Sequence, residues 1–316
     1  MIKAGLIGYG HLGQIHFKCL QQTQFVLAGI LDPKLSDNAV NEVPVFQQLD
    51  ALLEEVDAVI IASTTQTHFN IAKECMEKGK HVFIEKPMTR TVAEAETLKN
   101  IADSMPQLIT QVGFVERHNP AFQYLAKHIK DPKFIEVHRL ASFNPRGSEV
   151  SVIYDLMIHD LDLLLLTVNA PVKEIKAHGV KIITDTIDIC NARIEFENRA
   201  VANLTASRVS LKQMRKFRIF QSDGYLSMDL NKKESQKVEI SEQEPSEMYF
   251  EYNGRKKYLH FASSGILQGN AILSELHQFY YSIINNKQGA ARIANALKTS
   301  ILAEQIESIA IASSNL

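Results

Sequence analysis

The stretch that most limits what this chain can become is Ile2 to Gly13, IKAGLIGYGHLG, where a short apolar run enters Gly8, Gly10 and Gly13 at the spacing G-x-G-x-x-G. Each glycine has its own geometric task. The first permits a tight turn, the second lets a phosphate approach the backbone, and the third lets a following helix pack close to the strand. The pattern predicts a helix over His11 to Leu20 whose first N–H groups, around His11 and Leu12, face a pyrophosphate together with the positive end of the helix dipole. Glycines also occur in ordinary turns, so the context has to decide. A second strand, Phe25 to Leu31, ends in Asp32, an acid placed to accept hydrogen bonds from a ribose diol and to repel a 2′-phosphate. The expected cofactor is therefore NAD rather than NADP, with Lys34 the one neighbour that pulls the other way.

After Asp32 short apolar strands alternate with helices, the signature of a parallel sheet covered on both faces. Val56 to Ala62 is a buried strand opening onto Ser63, Thr64 and Thr65, at the carboxyl end where open sheets place their ligands. A helix, Gln66 to Gly79, carries His68 near its start, and that position makes His68 a candidate cofactor neighbour without deciding its role. The strand His81 to Ile84 ends in Glu85-Lys86-Pro87. A lysine there points into the ligand crevice, with Glu85 beside it, and Pro87 fixes the backbone that follows and admits a cis bond. The helix Thr91 to Ser104 and the strand Leu108 to Phe114 close the parallel rhythm.

A chain of 316 residues exceeds the usual size of one domain, and the change of character near Asn119 divides it into residues 1–118 and 119–316. The second part is expected to hold a helix Pro120 to Ile129, a strand Lys133 to Phe143, a polar loop Asn144 to Val150 and an apolar helix Ser151 to Val168. Period-two segments follow, Ala200 to Val209, Arg215 to Phe220 and Tyr225 to Leu230 among them, and read as one mixed or antiparallel sheet. Residues 231–245 read as a surface hairpin or loop, and the helices Asn270 to Ile284 and Ala290 to Ser313 as packing elements. The fold class is thus α/β, a parallel nucleotide-binding sheet followed by an α+β domain.

A formal net charge of −2 gives no electrostatic case for a nucleic-acid or membrane partner. Cys19, Cys75 and Cys190 lie far apart with no C-x-x-C, which suits buried thiols in a reducing compartment and argues against a zinc site. A cytoplasmic enzyme without a metal is the expectation.

The helix Ser151 to Val168 carries Asp155, His159 and Asp162 on one face, with Asp160 pointing elsewhere. A histidine flanked by carboxylates has its tautomer fixed and its basicity raised, as a general base for an alcohol proton requires. Burying so many charges in an apolar helix is costly without partners or a task, and two readings compete with catalysis: metal ligands, which hydride transfer to NAD does not need and no second His or Cys cluster supports, and a structural hydrogen-bonded cluster. Arg117 near the domain junction, and Arg139 and Arg146 around the polar loop, can grip a diphosphate through paired hydrogen bonds or serve as interface or surface residues. His16 reads as a packing residue.

Taken together, Gly8 to Gly13, Thr64 to His68, Glu85-Lys86-Pro87, Val112-Gly113-Phe114 to Asn119-Pro120 and Asp155-Leu-Met-Ile-His159-Asp160 resemble the Gfo/Idh/MocA family over essentially the whole chain. The resemblance implies a Rossmann domain, then a domain with a large open-faced, mostly antiparallel sheet through which copies pair into homodimers or homotetramers. It implies that Lys86, Asp155 and His159 are the catalytic lysine, aspartate and histidine, with Arg117, Asn119 and Arg146 as further substrate contacts. Arg117 to Pro120, His138 to Arg146 and Asn203 to Arg208 are similar to the branch that oxidises the 3-hydroxyl of UDP-N-acetylglucosamine for diamino-sugar lipid A. The alternatives are a dehydrogenase of a free cyclitol, an aldose or a UDP-sugar acid, and a silent NAD(H)-binding regulator. In every enzymatic reading the site lies in the cleft between the domains.

Overall fold

The computed structural model describes residues 1–145, 149–243 and 246–314. Arg146, expected to contact substrate, lies outside the described residues. The chain forms two units, Met1–Val115 with Asn270–Ile301, and Glu116–Gly269 with Leu302–Leu316.

In the first unit β1 (Lys3–Ile7) leads into α1 (His11–Leu20), followed by β2 (Val26–Leu31), β3 (Ala39–Val40), β4 (Val43–Phe46) and α2 (Leu49–Glu55). Then come β5 (Ala58–Ile61), α3 (Thr65–Glu77), β6 (His81–Glu85), α4 (Val92–Ser104) and β7 (Thr110–Gly113). Among the described residues the strands make a seven-stranded sheet in the order β3-β4-β2-β1-β5-β6-β7, parallel except for the β3–β4 pair. β5 is buried on both faces, as an all-apolar central parallel strand must be. α1 buries Gly13, His16, Phe17 and Leu20, a helical stripe that settles its orientation on the sheet. α4 starts in a capping box, with the Thr91 hydroxyl accepting from Glu94 N–H and the Glu94 carboxylate accepting from Thr91 N–H.

The second unit contains α5 (Pro120–Ala126), β8 (Pro132–Leu140), α6 (Ile158–Val168), β9 (Val172–Val180), β10 (Ile189–Phe196) and β11 (Val201–Ser207). It continues with β12 (Met214–Gln221), β13 (Gly224–Asp229), β14 (Glu234–Ser241), β15 (Tyr249–Tyr252) and β16 (Arg255–Ile266). Its described strands form a nine-stranded sheet, β15-β16-β14-β13-β12-β8-β11-β10-β9, antiparallel except for β8–β11. One face carries Ile135, Val137, Ala192, Ile194, Leu204, Phe217 and Ile219 into a core closed by α5, α6 and the end of α8 (Ile293–Ser314).

Two expectations change and one is narrowed. Of the hairpin and loop readings for the polar stretch from residue 231, the hairpin holds: β14 pairs antiparallel with β13 and on its other side with β16, whatever its side chains. Residues 270–301, expected in the second domain, belong to the first unit: α7 (Ala271–Ile284) inserts Leu276, Phe279 and Ile283 into the core around Phe25, Phe83 and Ile109. The helix expected from Ser151 begins as a π-helical turn, Ile153–Met157, and becomes α-helical only at Ile158.

Candidate active site

The nucleotide end of the first unit is built by backbone geometry. Gly8 sits at φ +94°, and a Cβ there would lie 2.6 Å from Ser63 N, so no other residue fits. A Cβ at Gly13 would run into the Gly8 carbonyl oxygen, whereas one at Gly10 would meet nothing within 4 Å. The α1 ladder starts with Gln14 N–H donating to Gly10 O, and Gly10 offers no side-chain cap, so the amides of His11, Leu12 and Gly13 precede the ladder. Open space beside Gly10 and amides aimed outward fit a pyrophosphate. At the end of β2, Asp32 accepts Tyr9 N–H at 2.6 Å and Lys34 N–H at 2.9 Å, which fixes a half-exposed carboxylate where a ribose diol would bind. These residues suit NAD, and acids of this kind disfavour a 2′-phosphate.

Ser63, Thr64 and Thr65 follow β5 at its carboxyl end, Thr64 exposed and Ser63 Oγ 2.8 Å from Thr67 Oγ1. His68, a cofactor candidate by sequence, is instead buried: Nδ1 lies 2.9 Å from Pro87 O and Nε2 3.1 Å from Ser63 O. Burial lowers its pKa, and the ring ties the loop after β5 to the turn after β6. Lys86 is half-buried at the end of β6 and its bond to Pro87 is cis. Glu85, expected to face the cofactor, is 7% exposed, and its carboxylate is engaged by His16 Nε2 at 2.6 Å and by Lys86 N–H at 3.1 Å. Reading His16 as packing missed this. The available signal was a histidine in the buried stripe of α1, since a buried ring nitrogen calls for a partner.

In the second unit the titratable side chains between residues 155 and 162 are sorted into two groups. Asp160 is buried and receives Arg139 through Nε and Nη2, both at 2.8 Å. Arg139 also donates to Glu116 Oε1 at 3.0 Å. Burial alone would lower the Arg139 pKa, but Asp160 and Glu116 raise it, so the guanidinium stays charged. Asp162, expected on the histidine's face, is instead gripped by Arg117 Nε and Nη2 at 2.6 and 2.5 Å. Arg117 thus holds a buried carboxylate in place of the expected diphosphate. Asn119, another expected substrate contact, is 6% exposed, caps α5 through Ala121 N–H and donates to Glu116 and to Leu230 O. Asp155 and His159 remain half-buried, Asp155 within the π turn and His159 in the first turn of α6. A π turn re-aims the side chains it carries and recurs at functional positions.

The start of that segment is held from below. Val152 N–H donates to Ile187 O at 2.9 Å, and Arg208 Nη2 donates to Val150 O at 2.5 Å and to Ile187 O at 3.1 Å. Arg208 Nε lies 3.5 Å from Asp188 Oδ1, while Asp188 Oδ2 accepts the N–H groups of Ile182, Ile183 and Thr184 at 2.7, 2.7 and 3.0 Å. Of this cluster only Arg208 stands in a stretch that the sequence marks, Asn203 to Arg208, and nothing in the sequence points to Asp188.

A family model described as Gfo/Idh/MocA, oxidoreductase family with an NAD-binding Rossmann fold, matches residues 2–114, and the family's C-terminal domain model matches residues 135–227. The UDP-N-acetylglucosamine 3-dehydrogenase of Acidithiobacillus ferrooxidans is 41% identical over 240 residues, 72% of this chain and 74% of that protein. A solved structure of the enzyme of that name from the same organism superposes with a TM-score of 0.89 at 32% identity, covering 99% of this chain and 98% of the other. The scyllo-inositol dehydrogenase of Lactobacillus casei, solved with NAD(H) and scyllo-inositol, shares the fold with a TM-score of 0.78 at 20% identity over 99% of this chain and 98% of the other.

Proposed function

The chain belongs to the Gfo/Idh/MocA oxidoreductase family, and from that premise we propose that it is an NAD-dependent dehydrogenase oxidising the 3-hydroxyl of UDP-N-acetylglucosamine to the 3-keto sugar. The chemistry rests on the sorting of charges between residues 155 and 162: Asp160 and Asp162 are buried in arginine pairs, whereas Asp155 and His159 are only half-buried. The substrate rests on the likeness to the Acidithiobacillus enzyme.

In this reading His159 takes the hydroxyl proton and Asp155 holds the imidazole in the tautomer that can accept it. Lys86 donates a hydrogen bond to the same oxygen and stabilises the charge that develops there. NAD, held by the amides of His11, Leu12 and Gly13 and by Asp32, supplies the hydride acceptor. Ser63, Thr64 and Thr65 line the cofactor.

The same reading pairs two copies of the chain through the open face of the nine-stranded sheet. Val201, Phe134, Phe220, Tyr225, Val238 and Phe261 stand in register across six neighbouring strands, on the face opposite the core. Phe220 is 37% and Phe261 62% exposed, and a continuous apolar row of this kind suits a self-complementary interface. Buried free thiols at Cys19, Cys75 and Cys190 suit the cytoplasm.

The test is NADH formation with a panel of UDP-N-acetylglucosamine, its uronic acid, myo-inositol and simple aldoses, with glutamate and an aminotransferase to draw off the ketone. UDP-N-acetylglucosamine should be oxidised fastest, and a clear preference for a free cyclitol would overturn the substrate assignment. Lys86→Ala and His159→Ala should each lower kcat by roughly 10²- to 10⁴-fold with little change in NAD affinity. Near-normal turnover in either variant would remove that residue from the mechanism.

A further inference from the structure

We propose that His16 is a positioning residue for Lys86, acting through the Glu85 carboxylate; the inference rests on the catalytic role proposed for Lys86. The His16 ring is fully buried on α1, packed edge-on against Phe83 with centroids 5.5 Å apart, and its Nε2 lies 2.6 Å from Glu85 Oε1. A carboxylate only accepts, so Nε2 carries the hydrogen. The other oxygen, Oε2, accepts the Lys86 backbone N–H at 3.1 Å.

The third wall of this arrangement is a missing side chain. Gly113 on β7 stands opposite Glu85 on β6, and a Cβ there would lie 2.8 Å from Oε2 and 3.0 Å from Oε1. The carboxylate fills the space that any other residue at 113 would occupy. Burying a carboxylate is unfavourable unless it is hydrogen-bonded, and an apolar residue at 16 with an apolar one at 85 would pack these layers without that cost. What the pair adds is direction: one oxygen is locked by α1, so the other holds the peptide from which the Lys86 side chain departs. The helix that begins at the pyrophosphate turn therefore also sets the aim of the ammonium.

This arrangement supplies its own perturbation. Gly113→Ala collides with the far end of one side chain and not with backbone, so the fold should yield by displacing the Glu85 carboxylate rather than by unfolding. The protein and its Gly113→Ala, His16→Phe, His16→Gln and Lys86→Ala variants are compared in kcat and KM with UDP-N-acetylglucosamine. NADH Kd is read from nucleotide fluorescence and stability from the melting temperature. Gly113→Ala and His16→Phe should lower kcat about 10- to 100-fold, the scale of an ångström-sized misplacement, with NADH Kd within about threefold of wild type. His16→Gln, whose amide can donate to Glu85, should recover kcat to within about threefold.

Unaltered kcat in Gly113→Ala, equal losses in His16→Gln and His16→Phe, or a loss of NADH affinity in proportion to kcat would each overturn the proposal. If His16→Phe does not fold, Gly113→Ala decides alone. Full turnover in Lys86→Ala would sink the catalytic assignment itself, whereas an inactive Lys86→Ala beside a normal Gly113→Ala would sink only the role of His16.

Discussion

Asp188→Asn should weaken the second unit by an amount that depends on pH, and the size follows from the contacts at that carboxylate. Asp188 is fully buried, and burial alone would raise its pKa. The N–H groups of Thr184, Ile182 and Ile183 and the Thr184 hydroxyl outweigh that and hold the value down to about 2. An unfolded aspartate titrates near ~3.9, so the ionised form adds about 2.6 kcal/mol to stability at neutral pH. Because the folded value lies below the unfolded one, this contribution is complete above about pH 5 and fades as the pH falls toward 2. At pH 3 about 1.3 kcal/mol remains. Asparagine does not titrate, so the stability gap between wild type and Asp188→Asn should shrink by roughly 1.3 kcal/mol between pH 7 and pH 3. The chain has no tryptophan, so urea unfolding is best followed by far-ultraviolet circular dichroism. Where the two units unfold in separate steps, the step that moves should be the one belonging to the second unit. A gap of the same size at both pH values would refute the argument, because it would mean that the donors do not hold an ionised carboxylate.

Two further outcomes follow from charges and faces already described. Arg139→Met leaves Asp160 buried without its cation and Glu116 with only the more distant Arg215, 3.5 Å away, and should cost about 3–5 kcal/mol in the same urea assay. A loss below about 1 kcal/mol would mean that the two carboxylates find other partners or take up protons. Phe220→Glu with Phe261→Glu places charge in the apolar row of the open sheet face, and sedimentation velocity should then report monomers where the wild type is paired. Unchanged assembly would move the interface elsewhere.

What could be read from the sequence was what is local. The helix His11–Leu20 and the acid after β2 came from one glycine pattern whose parts lie within a single supersecondary unit. The strand ends at Ser63 and Glu85 followed from apolar runs of the length that a buried parallel strand requires. The contacts that decide which charged residues stay accessible are not local. His16 meets Glu85 across 69 positions and Arg117 meets Asp162 across 45, and no periodicity encodes either pairing. That is why Arg117 read as a substrate contact, although the fold pairs it with a buried carboxylate. The π turn was hidden for a different reason, since an i→i+5 turn leaves the apolar pattern of residues 153–157 looking like an ordinary helix.

The return of α7 to the first unit separates the order in which the polypeptide is made from the order in which its parts are finished. A ribosome delivers all seven strands of the nucleotide sheet early, yet the aromatic seam around Phe25 and Phe83 stays open until Phe279 emerges. During synthesis the nine-stranded sheet is therefore translated in full while its predecessor still waits for its last wall.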